Sequence, residues 1–228
     1  MFVTLEGIDR SGKTTQAALL REALGPDTLL LREPGGTEAG ERVRDLLKDA
    51  ELELDARAEL LLFCAARAEL CSSVIRPALD AGRSVICDRF VDSTAAYQGA
   101  ARGLGVELVE GLNEIATAGC TPDVTLLLRI DPSGAEARGQ QRLAAGGEDG
   151  SDRFEGEGIE FQRTVAAAYD ELAARHPDRI RVIDAEGSPG KVHERVMAAV
   201  GEFEGDQAAE AVAEEGEGAL DMGPQRLE

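Results

Sequence analysis

The stretch Gly7-Ile8-Asp9-Arg10-Ser11-Gly12-Lys13-Thr14 has the spacing G-x-x-x-x-G-K-[ST]. It sits between the apolar run Phe2 to Glu6 and an unbroken helical pattern that starts at Lys13. No other feature restricts the fold as strongly, because such a loop works only where a strand delivers it to the N-terminus of a helix. Its glycines let the backbone turn tightly so that successive N–H groups converge on phosphate oxygens. Lys13 then bridges the outer phosphates, and Thr14 offers a hydroxyl to Mg²⁺. The helix adds its positive dipole end. All eight residues from Gly7 to Thr14 are therefore candidate phosphate-binding residues. Arg10 is the unexpected member, since a small residue closes such a turn more easily. It is either a solvent-facing loop arginine or a cation aimed at the bound phosphates.

The rest of the chain repeats the alternation that the loop demands. Strand patterns at Phe2 to Glu6, Thr28 to Arg32, Ser84 to Asp88, Asp123 to Ile130 and Arg179 to Asp184 are separated by longer helical patterns. Those helices are expected at Lys13 to Leu24, Glu38 to Asp49, Asp55 to Asp80, Val106 to Ala118, Ser133 to Leu143, Ile159 to Arg175 and from Pro189 onward. This order predicts an α/β fold, a five-stranded parallel sheet flanked by helices. Residues 144–157, rich in glycine and acid and without apolar period, read as a lid. Residues 1–204 form the expected domain, and 205–228 have the composition of a disordered tail.

Charge narrows the partners. The formal net charge is −20, of which the stretch from Glu202 to Glu228, with nine acidic residues and one arginine, contributes −8. The remaining body is still acidic and repels nucleic acid and anionic membranes, so phosphate chemistry here must rely on local clusters of cations. No apolar run approaches the ~18 residues of a membrane span. The first segment, FVTLEG, lacks the basic start of a signal peptide, so a cytoplasmic protein is expected. Cys64, Cys71, Cys87 and Cys120 lie far apart, with only two histidines in the chain, which reads as buried thiols rather than a metal or disulfide framework.

Three further clusters fall where open α/β sheets bind ligands. In REPGGT, Arg32 has the fork geometry for a phosphate, although a turn with a surface arginine explains it equally well. In CDRFVDSTAAYQG, Asp88 ends an apolar strand beside the phosphate loop, where an acid commonly holds Mg²⁺. Arg89, Ser93, Thr94, Tyr97 and Gln98 follow it with a concentrated set of hydrogen-bonding groups. In LLLFCAARAEL, Phe63 and Arg67 are four apart and share a helix face, where a ring beside a guanidinium suits a base. Plain core packing of Phe63 is the favoured reading of that pattern alone. The guanine signature N-K-x-D is absent, so Asp131-Pro132-Ser133-Gly134 is read as a strand-to-helix turn with proline at the first helical position.

The segments EGIDRSGKTTQ, REPGGT, LLFCAARAE, DRFVDSTAAYQG, PDVTLLLRIDP and DRFEGEGIEFQ, in this order over residues 2 to about 203, resemble the thymidylate kinase family. The resemblance implies a nucleoside monophosphate kinase fold that makes dTDP from dTMP with ATP and Mg²⁺, working as a homodimer. It places Lys13 and Thr14 on the ATP phosphates and metal, beside the Asp88 already read as a metal residue. Asp9, Arg32 and Arg89 fall around the acceptor phosphate and sugar. It puts Phe63 on the thymine ring, Arg67 on its edge, Thr94 and Gln98 near the base, and Tyr97 where a ribose 2′-hydroxyl would crowd. Arg10, Lys13, Asp9, Arg89 and the lid residue Arg153 are the catalytic candidates, with Arg138 and Arg142 behind Arg153. Two departures stand out: Phe90 where the family often has tyrosine, and Arg129 at a strand position that is usually acidic. A kinase for another monophosphate or a deoxynucleoside, and a non-catalytic nucleotide-binding module, are the alternatives.

Overall fold

The computed structural model describes residues 1–144, 146 and 157–220, with side chains except at 142 and 206–220. Five strands, β1 (Phe2–Glu6), β2 (Leu29–Arg32), β3 (Val85–Asp88), β4 (Val124–Arg129) and β5 (Ile180–Asp184), form one sheet in the order β2-β3-β1-β4-β5. Every pairing is parallel. Each strand lies inside the span expected from its apolar run. β1 is buried along its whole length because it is central, whereas edge strand β2 alternates between half-buried and exposed positions.

Register decides where the chemistry gathers. Leu5 and Arg32 both pair with Asp88, and Glu6 pairs with Leu127, so the carboxyl ends of β1, β2, β3 and β4 lie in one row. The strand order reverses about β1, and a sheet of this kind binds ligands in the crevice beyond such a reversal. The loops after β1, β2 and β3 carry the first two acceptor clusters and the phosphate loop into that crevice.

The helices begin where their caps dictate. α1 (Lys13–Leu24) follows Gly12, which has a positive φ of 103°. α2 (Glu38–Lys48) starts at Thr37, whose hydroxyl accepts the Gly40 N–H at 2.9 Å. α3 (Ala56–Leu70) starts at Asp55, whose carboxylate accepts the Arg57 N–H at 2.9 Å. α3 continues through a π-helical turn, Cys71–Ile75, into α4 (Arg76–Asp80). α5 is short (Val91–Thr94) and runs into a second π-helical stretch, Ala95–Ala101. α6 (Val106–Thr117), α7 (Pro132–Ala144), α8 (Ile159–Arg175) and α9 (Pro189–Leu220) complete the order. Asp131 caps α7 by accepting the Ser133 N–H at 2.9 Å, with Pro132 at the first helical position as expected.

Two features differ from the sequence expectation. Val91–Ala101 is helical, whereas its sequence shows only a cluster of polar groups, because VDSTAAYQGAA has no apolar stripe of its own and the π-helical turns break the 3.6-residue period. α9 carries helical backbone to Leu220, across the boundary expected after residue 204, in keeping with its many alanines and glutamates. Most of the expected lid, with Arg153, lies outside the described residues. No helix among the described residues is long and apolar enough to cross a membrane.

A buried polar tie holds α5 to the sheet. Arg179 donates to both carboxylate oxygens of Asp92, at 2.7 and 2.8 Å, and to Thr125 Oγ1 at 2.6 Å; Thr125 in turn meets Thr4 of β1 at 2.7 Å. Asp92 is 3% exposed. Asp92→Ala leaves the guanidinium without its counter-charge. It should destabilise the fold by about 2 to 3 kcal/mol, at or below the lower end of the range for a buried pair because Arg179 keeps some water contact. A urea midpoint equal to that of the parent would refute this role.

Candidate active site

The phosphate loop is closed by its own lysine. Lys13 Nζ donates to the Gly7 carbonyl at 3.0 Å and the Ile8 carbonyl at 2.7 Å, with Ser11 Oγ at 3.4 Å. Burial, with Arg89 nearby, lowers its pKa to about 8, against the pull of Asp88, Asp9 and Glu6. Gly7 has φ 139°, and a Cβ there would lie 2.6 Å from the Leu128 carbonyl oxygen, so only glycine fits against β4. Gly7, Ile8 and Ser11 thus shape the loop, while Asp9, Arg10, Gly12, Lys13 and Thr14 line the cavity in front of it. Thr14 Oγ1 donates to Asp88 Oδ2 at 2.6 Å, which brings the two expected metal residues together.

Arg10 and Arg89 are both non-glycine residues with positive φ, 63° and 71°. Such a conformation costs about 1 to 2 kcal/mol for an L-residue and persists only where surroundings enforce it. For Arg89 the enforcement is visible. Its N–H donates to the Leu5 carbonyl at 3.0 Å, and its guanidinium is ion-paired with Asp9 and reaches the Gly7 carbonyl and Ser93 Oγ, each at 3.2 Å. The guanidinium also stands 5.0 Å from the centre of the Tyr97 ring. Burial pushes the Asp9 carboxyl up, but Arg89, Lys13 and Gln162 outweigh it, so Asp9 stays ionised. Gln162 of α8 donates to Asp9 Oδ2 at 2.7 Å and accepts the Asp9 N–H at 3.3 Å.

The opposite end of the site, around Arg67, is equally organised. Arg67 is 1% exposed. Its Nε and Nη2 donate to Glu33 Oε2 at 2.9 and 2.6 Å, its Nη1 to Asn113 Oδ1 at 2.6 Å, and its Nη2 also to the Phe90 carbonyl at 3.1 Å. Phe90 is core: it packs edge-on to Phe2 at 5.1 Å and lies under Arg67 at 5.3 Å. Phe63 faces the cavity and belongs to neither hydrophobic cluster, which overturns the plain-core reading. Thr94 Oγ1 lines the cavity and has no hydrogen-bond partner among the described residues. Gln98 is turned by Glu59, to which it donates at 2.7 Å.

Together these groups surround one cavity of about 770 Å³ that runs from the phosphate loop past Arg32 and Arg89 to Phe63, Arg67 and Thr94. Arg32 reaches it half-exposed, held by Glu41 of α2 at 2.8 Å. Arg138 lines it too, but its guanidinium donates to the Ala185 and Ser11 carbonyls at 2.6 and 3.3 Å, so it clips α7 to the phosphate loop. Arg129 pairs with Asp170 at 2.8 Å away from the cavity.

A family model for thymidylate kinase matches residues 5–196 of the chain. The chain belongs to the thymidylate kinase family. It is 47% identical over 208 residues to a thymidylate kinase of Solidesulfovibrio magneticus, covering 89% of this chain and all of that one. It is 46% identical to one of Gloeobacter violaceus, covering 89% and 95%. The crystal structure of thymidylate kinase from Ehrlichia chaffeensis superimposes with a TM-score of 0.72 at 35% identity, covering 88% of this chain and 98% of that one.

Sequence reasoning missed the residues that support the cavity-lining groups: Glu33 and Asn113 on Arg67, Glu41 on Arg32, Gln162 on Asp9, and above all Glu6 on the chain around Arg89. Each looks ordinary in its own segment, and only Glu41, close to Arg32 in sequence and in the first turn of a helix, carried a local signal. Glu6 is wholly buried, and its carboxylate accepts from Phe90 N–H at 2.7 Å, Ser93 N–H at 3.1 Å, Ser93 Oγ at 2.5 Å and Tyr169 Oη at 2.8 Å. Burial and the Asp92 charge push its pKa up to about 7, against Ser93, Arg89 and Tyr169. Since an unfolded glutamate titrates near 4.5, the folded state binds this proton more tightly. The stabilisation is complete below about pH 4.5 and is lost as pH rises through about 7. Glu6→Gln should therefore flatten the fall in urea midpoint over that interval; an unchanged slope would assign the titration to another group.

Proposed function

We infer that the chain transfers the γ-phosphoryl group of ATP to dTMP, giving dTDP and ADP. The observation that carries this reading is the single cavity with Lys13, Thr14 and Asp88 at one end, Arg32 and Arg89 in the middle and Phe63 with Arg67 at the other. It offers a seat for a nucleoside triphosphate and a separate, cation-flanked seat for a monophosphate. A deoxynucleoside acceptor would need a carboxylate base for its hydroxyl and no arginine clamp. A monophosphate arrives with its nucleophilic oxygen already anionic, so the work is to bring two anions together in line.

In this reading Lys13 and the loop amides hold the ATP phosphates, and Asp9 fixes Arg89 so that it and Arg32 grip the acceptor phosphate. Phe63 stacks on thymine, Arg67 presents its remaining Nη1 hydrogen to the base edge, and the Thr94 hydroxyl completes the base contacts. Gln98 borders the base, and Tyr97 crowds the sugar where a ribose would carry its extra hydroxyl. Thr14 and Asp88 supply hard oxygens in the number Mg²⁺ uses from a protein, and the pair fits that ion. When bound, Mg²⁺ neutralises charge on the ATP phosphates. Arg10 acts in cis on the oxygens of the transferring group, and Arg153 of the lid shares that duty on closure.

Residues 1–204 carry the reaction and 205–228 lie outside it. The chain works in the cytoplasm as a homodimer, and the exposed Leu61 of α3 with Leu108 and Ile115 of the adjacent α6 support the pairing.

Two measurements test the reading. ADP release with MgATP across dTMP, dUMP, dCMP, dGMP, UMP and thymidine should be fastest with dTMP; no preference for dTMP would overturn the substrate. Arg10→Gly should lower the turnover number by ~10³-fold or more with a small change in the ATP KM, as for other arginine fingers. Wild-type turnover would remove Arg10 from the chemistry.

A further inference from the structure

Gly139 lies in the interior of α7, where glycine is less favourable than alanine by about 1 kcal/mol. Its φ is not positive, so backbone freedom does not explain the residue. Space does. A Cβ at position 139 would stand 2.6 Å from Cδ, 2.7 Å from Nε and 2.9 Å from Cζ of Arg10, closer than real Cβ atoms come to any neighbour. The three nearest atoms all belong to that one side chain. The other described glycine of α7 inside the helix, Gly134, would place its Cβ no closer than 3.5 Å to anything, an ordinary contact.

Both backbones are fixed, so the flexible end of the arginine is what an added Cβ would move. The Arg10 backbone is held at φ 63°, which sets the direction in which its side chain leaves the loop. α7 is clipped to the same loop by Arg138, through the Ser11 and Ala185 carbonyls. The guanidinium of Arg10 therefore lies across bare helix backbone at Gly139, and both residues border the cavity.

We propose that Gly139 is a positioning residue for Arg10: by carrying no side chain it forms the seat on which the Arg10 guanidinium rests while it points at the phosphates. The proposal rests on the catalytic reading of Arg10. An alanine at 139 has only the flexible end of an arginine to displace. The fold accommodates it, and the guanidinium is moved by about the length of a bond or more. Misplacement of this size in a reacting constellation costs up to about 100-fold in rate.

The test is a set of five full-length proteins: the parent, Gly139→Ala, Arg10→Gly, the double variant, and Gly134→Ala as the control for adding a methyl to α7. Turnover number, ATP KM and melting temperature are measured on each. Gly139→Ala should lower turnover about 10- to 100-fold with a melting temperature at or above the parent's and an ATP KM within a few-fold, while Gly134→Ala keeps parental turnover. In the Arg10→Gly background the same alanine should change turnover no further. Parental turnover in Gly139→Ala, alongside an impaired Arg10→Gly, overturns the seat and leaves the catalytic reading of Arg10 standing. An undiminished effect of the alanine in the Arg10→Gly background also overturns it, because the methyl then acts on something else. Parental turnover in Arg10→Gly removes the premise and the proposal with it. If Gly139→Ala melts lower than the parent, the double variant decides: recovery of stability supports the contact, and its persistence refutes it.

Discussion

The carboxylate of Glu6 is the point on which the site hangs. It ends the central strand, is wholly buried, and accepts hydrogen bonds from the Phe90 amide, the Ser93 amide and hydroxyl and the Tyr169 hydroxyl. α5 has no side-chain cap of its own, so the first amides of that helix find their acceptor on a different strand. With the Leu5 carbonyl holding the Arg89 amide, β1 grips the chain on both sides of a residue whose backbone is strained. An acid in so dry a place is destabilised when charged. It is retained because an apolar residue would leave several buried donors unpaired at once.

The same logic explains an acidic protein with a cationic cavity. Arg67, Arg89 and Arg32 are each paired with an acid, Glu33, Asp9 and Glu41 respectively. The pairs make burial of Arg67 and Arg89 tolerable, and all three fix the direction of their guanidinium before any ligand arrives. A guanidinium that is already aimed and partly desolvated needs little rearrangement when a phosphate or base edge meets it, which is where electrostatic catalysis draws its strength. The net charge of the chain has no part in this. It is set by the surface, and the site is set by which acids face inward.

The secondary structure was largely legible in the sequence because it is encoded locally. Lys13–Leu24 and Ile159–Arg175 are bounded as the periodicity predicts, and Thr37, Asp55 and Pro132 mark helix starts by their own chemistry. The segment after β3 was not, since its helix is short, loses its period in a π-helical turn and is capped from elsewhere in the chain. In the site, the residues proposed to touch ligands lie in compact motifs, so the sequence nominates them without the fold. It does not nominate their supports: Gln162 is separated by 153 positions from Asp9, Glu6 by 84 from Phe90, and Asn113 by 46 from Arg67. Nothing in one sequence ties such residues together; only the folded sheet does. Gly139 is the extreme case, since its contribution is a missing atom.

The closure of the loop by Lys13 has a consequence for how any anion enters. The ammonium already directs its three hydrogens at its own loop, to the Gly7 and Ile8 carbonyls and, more weakly at 3.4 Å, to Ser11 Oγ, so a phosphate oxygen that reaches it must take the place of one of these. Capture of an anion at this lysine would then be a ligand exchange at one nitrogen rather than an attraction to a bare charge. The affinity it yields is the difference between two sets of oxygen partners. The lysine works as a latch: it keeps the loop in its working shape with neutral acceptors, and it opens for a partner that carries negative charge.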